Sequence, residues 1–273
     1  MLNFRVDRSL CTGCGECALD CPARIIEMEE GCPRIAPERE ESCYRCQHCF
    51  TVCPTGAVSL LGLNPKDSLD LKKQTLSPDQ MELLMKGRRS VRRYEPVDLE
   101  PEQIRRLVEV AQHAPTAVNN RSVHFTVVDK REKLAEIRRE VMTGLARLVR
   151  ENALPEGREF FAEFVRVWEE NQVDVLFRGA PHFVVASAPE TAVAPVIDCL
   201  IALSYFELFA QSAGVGTVWC GLAKWAINDL VPEMKERLGI PADHVVGYVM
   251  LFGKPAVHYA RTAQRAISVS YVK

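Results

Sequence analysis

A chain of 273 residues with 47% hydrophobic content can bury one ordinary core and a smaller second one. Its 34 Lys+Arg against 36 Asp+Glu give a formal net charge of −2, not the broad basic excess that a nucleic-acid surface demands. No apolar run reaches membrane-span length and the opening MLNFRVDRSL has no apolar stretch of export-signal size, so a cytoplasmic chain with no nucleic-acid and no membrane partner is expected.

Nine of the eleven cysteines fall within the first 53 residues. Without an export signal, metal ligation by thiolates is a better use for them than disulfides. Eight are ordered as a repeat: Cys11, Cys14, Cys17 and Cys21 before Pro22, then Cys43, Cys46, Cys49 and Cys53 before Pro54. In each C-x2-C-x2-C-x3-C-P run a tight loop wraps three thiolates around one cubane while the fourth reaches the other cluster. The expected ligand sets are Cys11, Cys14, Cys17 and Cys53 for one [4Fe-4S] cluster, and Cys43, Cys46, Cys49 and Cys21 for the second. Zinc, the bland alternative, takes separated Cys pairs or Cys/His mixtures around a single ion. Residues 3–62 resemble a bacterial-type two-cluster ferredoxin throughout. Cys32 stands outside the repeat and reads as a spare thiol.

The stretch GLNPKDSLDLKKQTL is polar and aperiodic, a linker. Ser77 then offers a helix cap, Pro78 a first position, Met81, Leu84 and Met85 an apolar stripe, and Gly87 a stop. Further helices are predicted at 101–113, 131–152, 157–171, 196–213 and 225–238, and strands at 123–129, 182–187, 215–219 and 244–252. Few strands among many long helices argue for an α+β sandwich. The predicted helix at 196–213 is apolar on more than one face, as either a central helix or an interface helix would be.

Just past the first of these helices, GRRSVRRY packs Arg88, Arg89, Arg92 and Arg93 around Ser90. In a chain of nearly balanced charge this points to one small anion, with a solvated basic turn as the plain alternative. No G-x-G-x-x-G follows a strand and no G-x-x-x-x-G-K-[ST] occurs, so neither a Rossmann fingerprint nor a P-loop is present to hold a nucleotide.

Residues 77–273 resemble the FMN-dependent nitroreductase family. The resemblance rests on RRSVRRY (88–94), APTAVNNRSVHF (114–125), GVGTVWCG (214–221) and FGKPAVHYARTAQRAI (252–267), in that order. It implies a nitroreductase-like α/β sandwich behind a small ferredoxin-type domain, with residues 1–62 as ferredoxin, 63–76 as linker and 77–273 as the flavin domain. It also implies that Arg88 and Ser90, with Arg89 beside them, hold the FMN phosphate, and that Arg92 approaches the N1/O2 side of the flavin. Pro115, Thr116, Ala117 and Asn119 would meet the flavin from the second chain of a homodimer. Where relatives read N-x-Q-P-W, this chain has Asn119, Asn120, Arg121, Ser122 and Val123, so Arg121 in the glutamine's place adds a cation near the flavin or is a surface arginine. Gly214 and Gly216 permit close backbone approach. Trp219 is expected to wall the ring, and the Cys220, Gly221 and Leu222 peptides lie where a backbone N–H meets N5, although the usual second glycine is Leu222 here. Arg265, with Arg261 second, would complete the phosphate grip. The thiols of Cys199 and Cys220 read as packing groups, and the six histidines, scattered without metal or triad spacing, as structural or surface groups.

No catalytic side chain is expected, because the chemistry belongs to flavin N5 and the protein positions, stacks and polarises. The resemblance implies an FMN-dependent oxidoreductase that passes electrons between clusters, FMN and a small aromatic, nitro or quinonoid acceptor. Reduced ferredoxin, a flavoprotein or NAD(P)H would be the donor. The alternative is an electron-transfer or redox-sensing subunit that relays electrons to a partner protein.

Overall fold

A computed structural model describes residues 2–71 and 75–272. Lys72, Lys73 and Gln74 of the expected linker lie outside the described residues. The chain divides into two compact units, Met1–Leu76 with Val118–Asn120, and Ser77–Ala117 with Arg121–Lys273.

The first unit is built on its sequence repeat. Strand β1 (Arg5–Val6) pairs antiparallel with β4 (Val58–Ser59), and β2 (Ile26–Glu29) forms a hairpin with β3 (Cys32–Ile35). The single-turn helices α1 (Glu16–Leu19) and α2 (His48–Thr51) each follow a residue of positive φ, Gly15 at 76° and Gln47 at 65°. Gly13 and Arg45, inside the first C-x2-C of each run, are also left-handed, at 70° and 52°. Both runs therefore trace the same looped path, although only the first uses glycine to do so. Leu2, Cys17, Ile25, Ile26, Cys49, Val58 and Leu60 form the core between them.

The second unit is a sandwich around a four-stranded sheet, in order β5 (His124–Val128), β6 (His182–Pro189), β8 (His244–Gly253), β7 (Gly216–Trp219), with every pair antiparallel. Alternation along β6 separates the faces. Phe183 and Val185 pack with helices α5 (Arg131–Arg150) and α6 (Phe161–Asn171), whereas Val184 and Ala186 pack with α4 (Pro101–Ala111) and α7 (Pro195–Ser212). All but the last residue of β6 is buried, as a strand covered on both faces must be. Among the described residues no helix is long and apolar enough to cross a membrane.

Three local expectations need correction. The helix expected at 225–238 is broken into α8 (Gly221–Trp225), a π turn (Ala226–Leu230) and α9 (Glu233–Arg237). Val231 leaves the helical region at φ −127°, and Pro232 follows, without the N–H that an uninterrupted helix needs. In α3 (Pro78–Gly87), Ser77 makes no side-chain cap bond, and Gly87 is the last helical residue while Arg88 turns extended. Of the stripe at Met81, Leu84 and Met85, only Leu84 is half-buried, and the two methionines are exposed. The helix expected from 157 begins at Phe161, because residues 157–160 form turns instead.

Candidate functional site

Two recesses in the first unit each gather four thiols. One, of about 320 Å³, is lined by Cys11, Cys14, Cys17 and Cys53; the other, of about 340 Å³, by Cys21, Cys43, Cys46 and Cys49. The last cysteine of each run thus lines the recess of the opposite run. Cys32 opens β3 and lines neither. Backbone N–H groups point at two of the sulfurs: Ala57 donates to Cys53 Sγ at 3.2 Å and Arg45 to Cys43 Sγ at 3.3 Å.

Burial pushes the Cys17 and Cys43 thiols up, and raises Cys49 to about 12, with the neighbouring Cys21, Cys43, Cys46 and Cys17 adding to it. At Cys53 burial also acts upward, but the Val58, Thr55 and Ala57 backbone and the Thr55 hydroxyl together bring the thiol below its ordinary value. Thiols so placed become ligands when a cationic centre supplies the stabilisation that burial withholds. Among the described residues no three His, Cys, Asp or Glu side chains are grouped as a single ion would need them. Four thiols in each of two recesses, drawn from two repeated runs, suit two four-cysteine clusters.

In the second unit the arginine segment lies along β7. Ser90 bridges Thr217 in parallel, and Val91 N–H donates to Thr217 O at 2.8 Å. Glycine at 216 makes this possible, since a Cβ there would sit 2.7 Å from Val91 Cγ2. Arg88 Nη1 donates to Glu207 Oε1 at 3.0 Å, with the two side chains 23% and 9% exposed. The same carboxylate accepts from Thr217 Oγ1 at 3.3 Å and Trp219 Nε1 at 3.0 Å. Arg92 Nη1 reaches Ser90 O at 3.4 Å, and among the described residues no carboxylate pairs with Arg89, Arg92 or Arg93. The C-terminal stretch runs beside this segment: Ala256 N–H donates to Arg93 O, and Tyr259 OH to Ser90 O at 3.1 Å. Arg261 and Arg265 lie further along it, exposed and outside regular structure.

The loop at 114–121 is pinned to α7, where Asp198 Oδ1 accepts from Ala117 N–H at 3.0 Å. Thr116 Oγ1 accepts from Arg121 N–H at 3.0 Å, with Arg121 itself at φ 52°. Ala111, Gln112, Thr116, Arg121, Phe125 and Ala202 line a cavity of about 500 Å³ beside it. Pro115 is exposed. Asn119, at φ 54°, groups with the first unit.

Trp219 packs edge-on against Tyr248, with ring centroids 5.3 Å apart. Cys220 N–H is committed to Val249 O at 2.9 Å, and its buried thiol donates to Leu176 O and accepts from Ala223 N–H at the start of α8. Its thiol is therefore a packing and capping group, kept protonated by burial. Gly221 faces Tyr248, whose hydroxyl would lie 3.0 Å from a Cβ, and Leu222 packs against the larger core. Cys199 is buried, and burial, with the Asp198 charge adding, pushes its thiol up to about 12. His182 accepts from Leu99 N–H, His244 contacts Ser187 Oγ, and His48 sits 3.1 Å from Asp20.

Sequence reasoning missed Asp198 and Glu207. They are the two charged residues of the largely apolar α7, and both are buried. An acid inside an apolar helix is a signal in itself, since a buried carboxylate needs donors.

The nitroreductase family model matches residues 85–254, and the 4Fe-4S dicluster domain model matches residues 10–57. A Methanothermobacter thermautotrophicus protein provisionally named NADH dehydrogenase/NAD(P)H nitroreductase is 28% identical over 177 residues, which span 63% of this chain and 75% of that protein. Two solved nitroreductases with bound FMN share the fold. The one from Bacteroides fragilis has a TM-score of 0.58 at 21% identity, over 71% of this chain and 99% of its own. The one from Desulfitobacterium hafniense has 0.56 at 24% identity, over 73% and 100%.

Proposed function

Since the chain belongs to the nitroreductase family, we propose that it is an FMN-dependent oxidoreductase whose ferredoxin-type module carries two [4Fe-4S] clusters. The observation that carries this reading is the arginine segment fixed along β7, where Arg89, Arg92 and Arg93 have no carboxylate partner among the described residues. Guanidinium groups left without a carboxylate suit a phosphate, which they can grip in a fork. Arg88, Arg89 and Ser90 hold the phosphate, and Arg92 lends positive charge to the flavin ring. When bound, the flavin exchanges two electrons, and the clusters exchange one each.

The chain's own part is to bind, orient and shield. Trp219, Gly221 and Leu222 border the ring, and Arg265 closes over the phosphate from the C-terminal stretch. Cys11, Cys14, Cys17 and Cys53 ligate one cluster, and Cys21, Cys43, Cys46 and Cys49 the other. Two chains pair so that Pro115, Thr116, Ala117 and Asn119 of one approach the flavin gripped by the other. Met81, Leu83 and Met85 on α3, with Ile197 and Tyr205 on α7, are exposed and supply apolar surface for that pairing. The cavity beside Arg121 and Phe125 suits a small aromatic, nitro or quinonoid acceptor.

Turnover tests the assignment. Purified, flavin-loaded protein supplied with reduced ferredoxin, a reduced flavoprotein or NAD(P)H is expected to reduce a nitroaromatic or a quinone repeatedly. Absence of turnover with every donor, together with a stable complex to a redox protein, would instead identify a relay subunit.

A further inference from the structure

Glu207 has no role in the site as proposed so far, yet it is the group on which that site converges. It sits in α7 with its side chain 9% exposed, an acid in a helix whose neighbours Phe206 and Ala210 are core residues. Each of its oxygens is used. Oε1 accepts from Arg88 Nη1 at 3.0 Å and from Thr217 Oγ1 at 3.3 Å, and Oε2 accepts from Trp219 Nε1 at 3.0 Å. Thr217 and Trp219 stand two apart on β7, so both side chains project from one face of the strand. Arg88 comes from the end of α3, 119 residues earlier. One carboxylate thus joins the first arginine of the basic segment to the strand along which that segment runs.

We propose that Glu207 is a positioning residue for the flavin phosphate, clamping Arg88 by one N–H while Thr217 and Trp219 hold the clamp itself in place. The proposal rests on the reading of Arg88 as a phosphate ligand. A long arginine side chain left loose loses rotamer freedom on binding, and a guanidinium fixed beforehand has already lost it. The remaining N–H groups of Arg88 are then available to a second anion. Neighbouring Arg89, Arg92 and Arg93, without carboxylate partners among the described residues, keep the surroundings positive enough for that anion to bind beside a carboxylate. A Glu207 that competed with the phosphate would instead make binding tighter once its charge is removed.

The test is a double-mutant cycle on FMN affinity, read as the Kd for release of FMN from the holoprotein by equilibrium dialysis. Glu207→Gln keeps the shape and loses the charge, and it is expected to weaken FMN about tenfold. In an Arg88→Ala background the same substitution is expected to change the Kd less than about twofold, because the clamp has nothing left to hold. Equal weakening in both backgrounds would mark a merely structural pin and overturn the proposal, as would unchanged or tighter binding in Glu207→Gln. If Glu207→Gln does not fold, Thr217→Val takes its place. It removes one donor from Oε1, and about threefold weaker binding is expected only when Arg88 is present. Should Arg88→Ala alone keep its flavin, the phosphate reading of Arg88 fails and the clamp fails with it. Loss in Arg88→Ala without loss in Glu207→Gln would spare that reading and refute only the clamp.

Discussion

Substituting Cys21 by serine is expected to cost the protein the cluster of the opposite cysteine run, the one held by Cys43, Cys46 and Cys49. Cys21 lines the recess with those three, while Cys53 completes the recess of Cys11, Cys14 and Cys17. The parent should carry about eight irons and eight sulfides per chain, and the variant about four of each. The surviving cluster should keep its own spectroscopic signal. Loss confined to the Cys11 site would show that the fourth ligands do not cross. Zinc in place of iron in the parent would overturn the cluster assignment altogether.

The second large effect is expected at Arg88. Its guanidinium lies at the start of the segment fixed to β7, whereas Arg93 is exposed and touches the C-terminal stretch through its carbonyl. Arg88→Ala should therefore lose flavin far more readily than Arg93→Ala. A charge-assisted contact is worth about 1.5–3 kcal/mol, which corresponds to a ten- to hundredfold weaker Kd. Flavin content measured after exhaustive dialysis of both variants checks this. Equal retention would make the segment a diffuse basic turn.

Chemistry that repeats along the chain was the easiest part to read. Eight cysteines at fixed spacing point to two groups of four, and the recesses they line follow the loops at Gly13, Gly15, Arg45 and Gln47. The long amphipathic helices and the buried strands were equally legible, since apolar period and length decide both. The break after α8 was not, because Ile227, Leu230, Val231 and Met234 are all buried and continue an apolar helical stripe across Pro232. Proline here wins over periodicity.

At the site, the arginines could be singled out because cations crowd into eight residues. The carboxylate that holds one of them could not, because Glu207 and Arg88 are far apart in sequence and meet only once α7 lies beside β7. An acid in an apolar helix signals that donors must meet it, but not which donors, and Arg88, Thr217 and Trp219 come from elsewhere in the chain. The indole bond of Trp219 to Glu207 depends on that same meeting.

On the proposed function, one chain holds a two-electron flavin together with two one-electron clusters. Anaerobic titration of the purified protein with reduced ferredoxin, and in parallel with NADH and NADPH, tests it by following flavin and cluster absorbance together. About four electrons per chain should be taken up from reduced ferredoxin, about two bleaching the flavin and about one entering each cluster. Uptake of about two electrons with the cluster absorbance unchanged, or no flavin band to bleach, would contradict it.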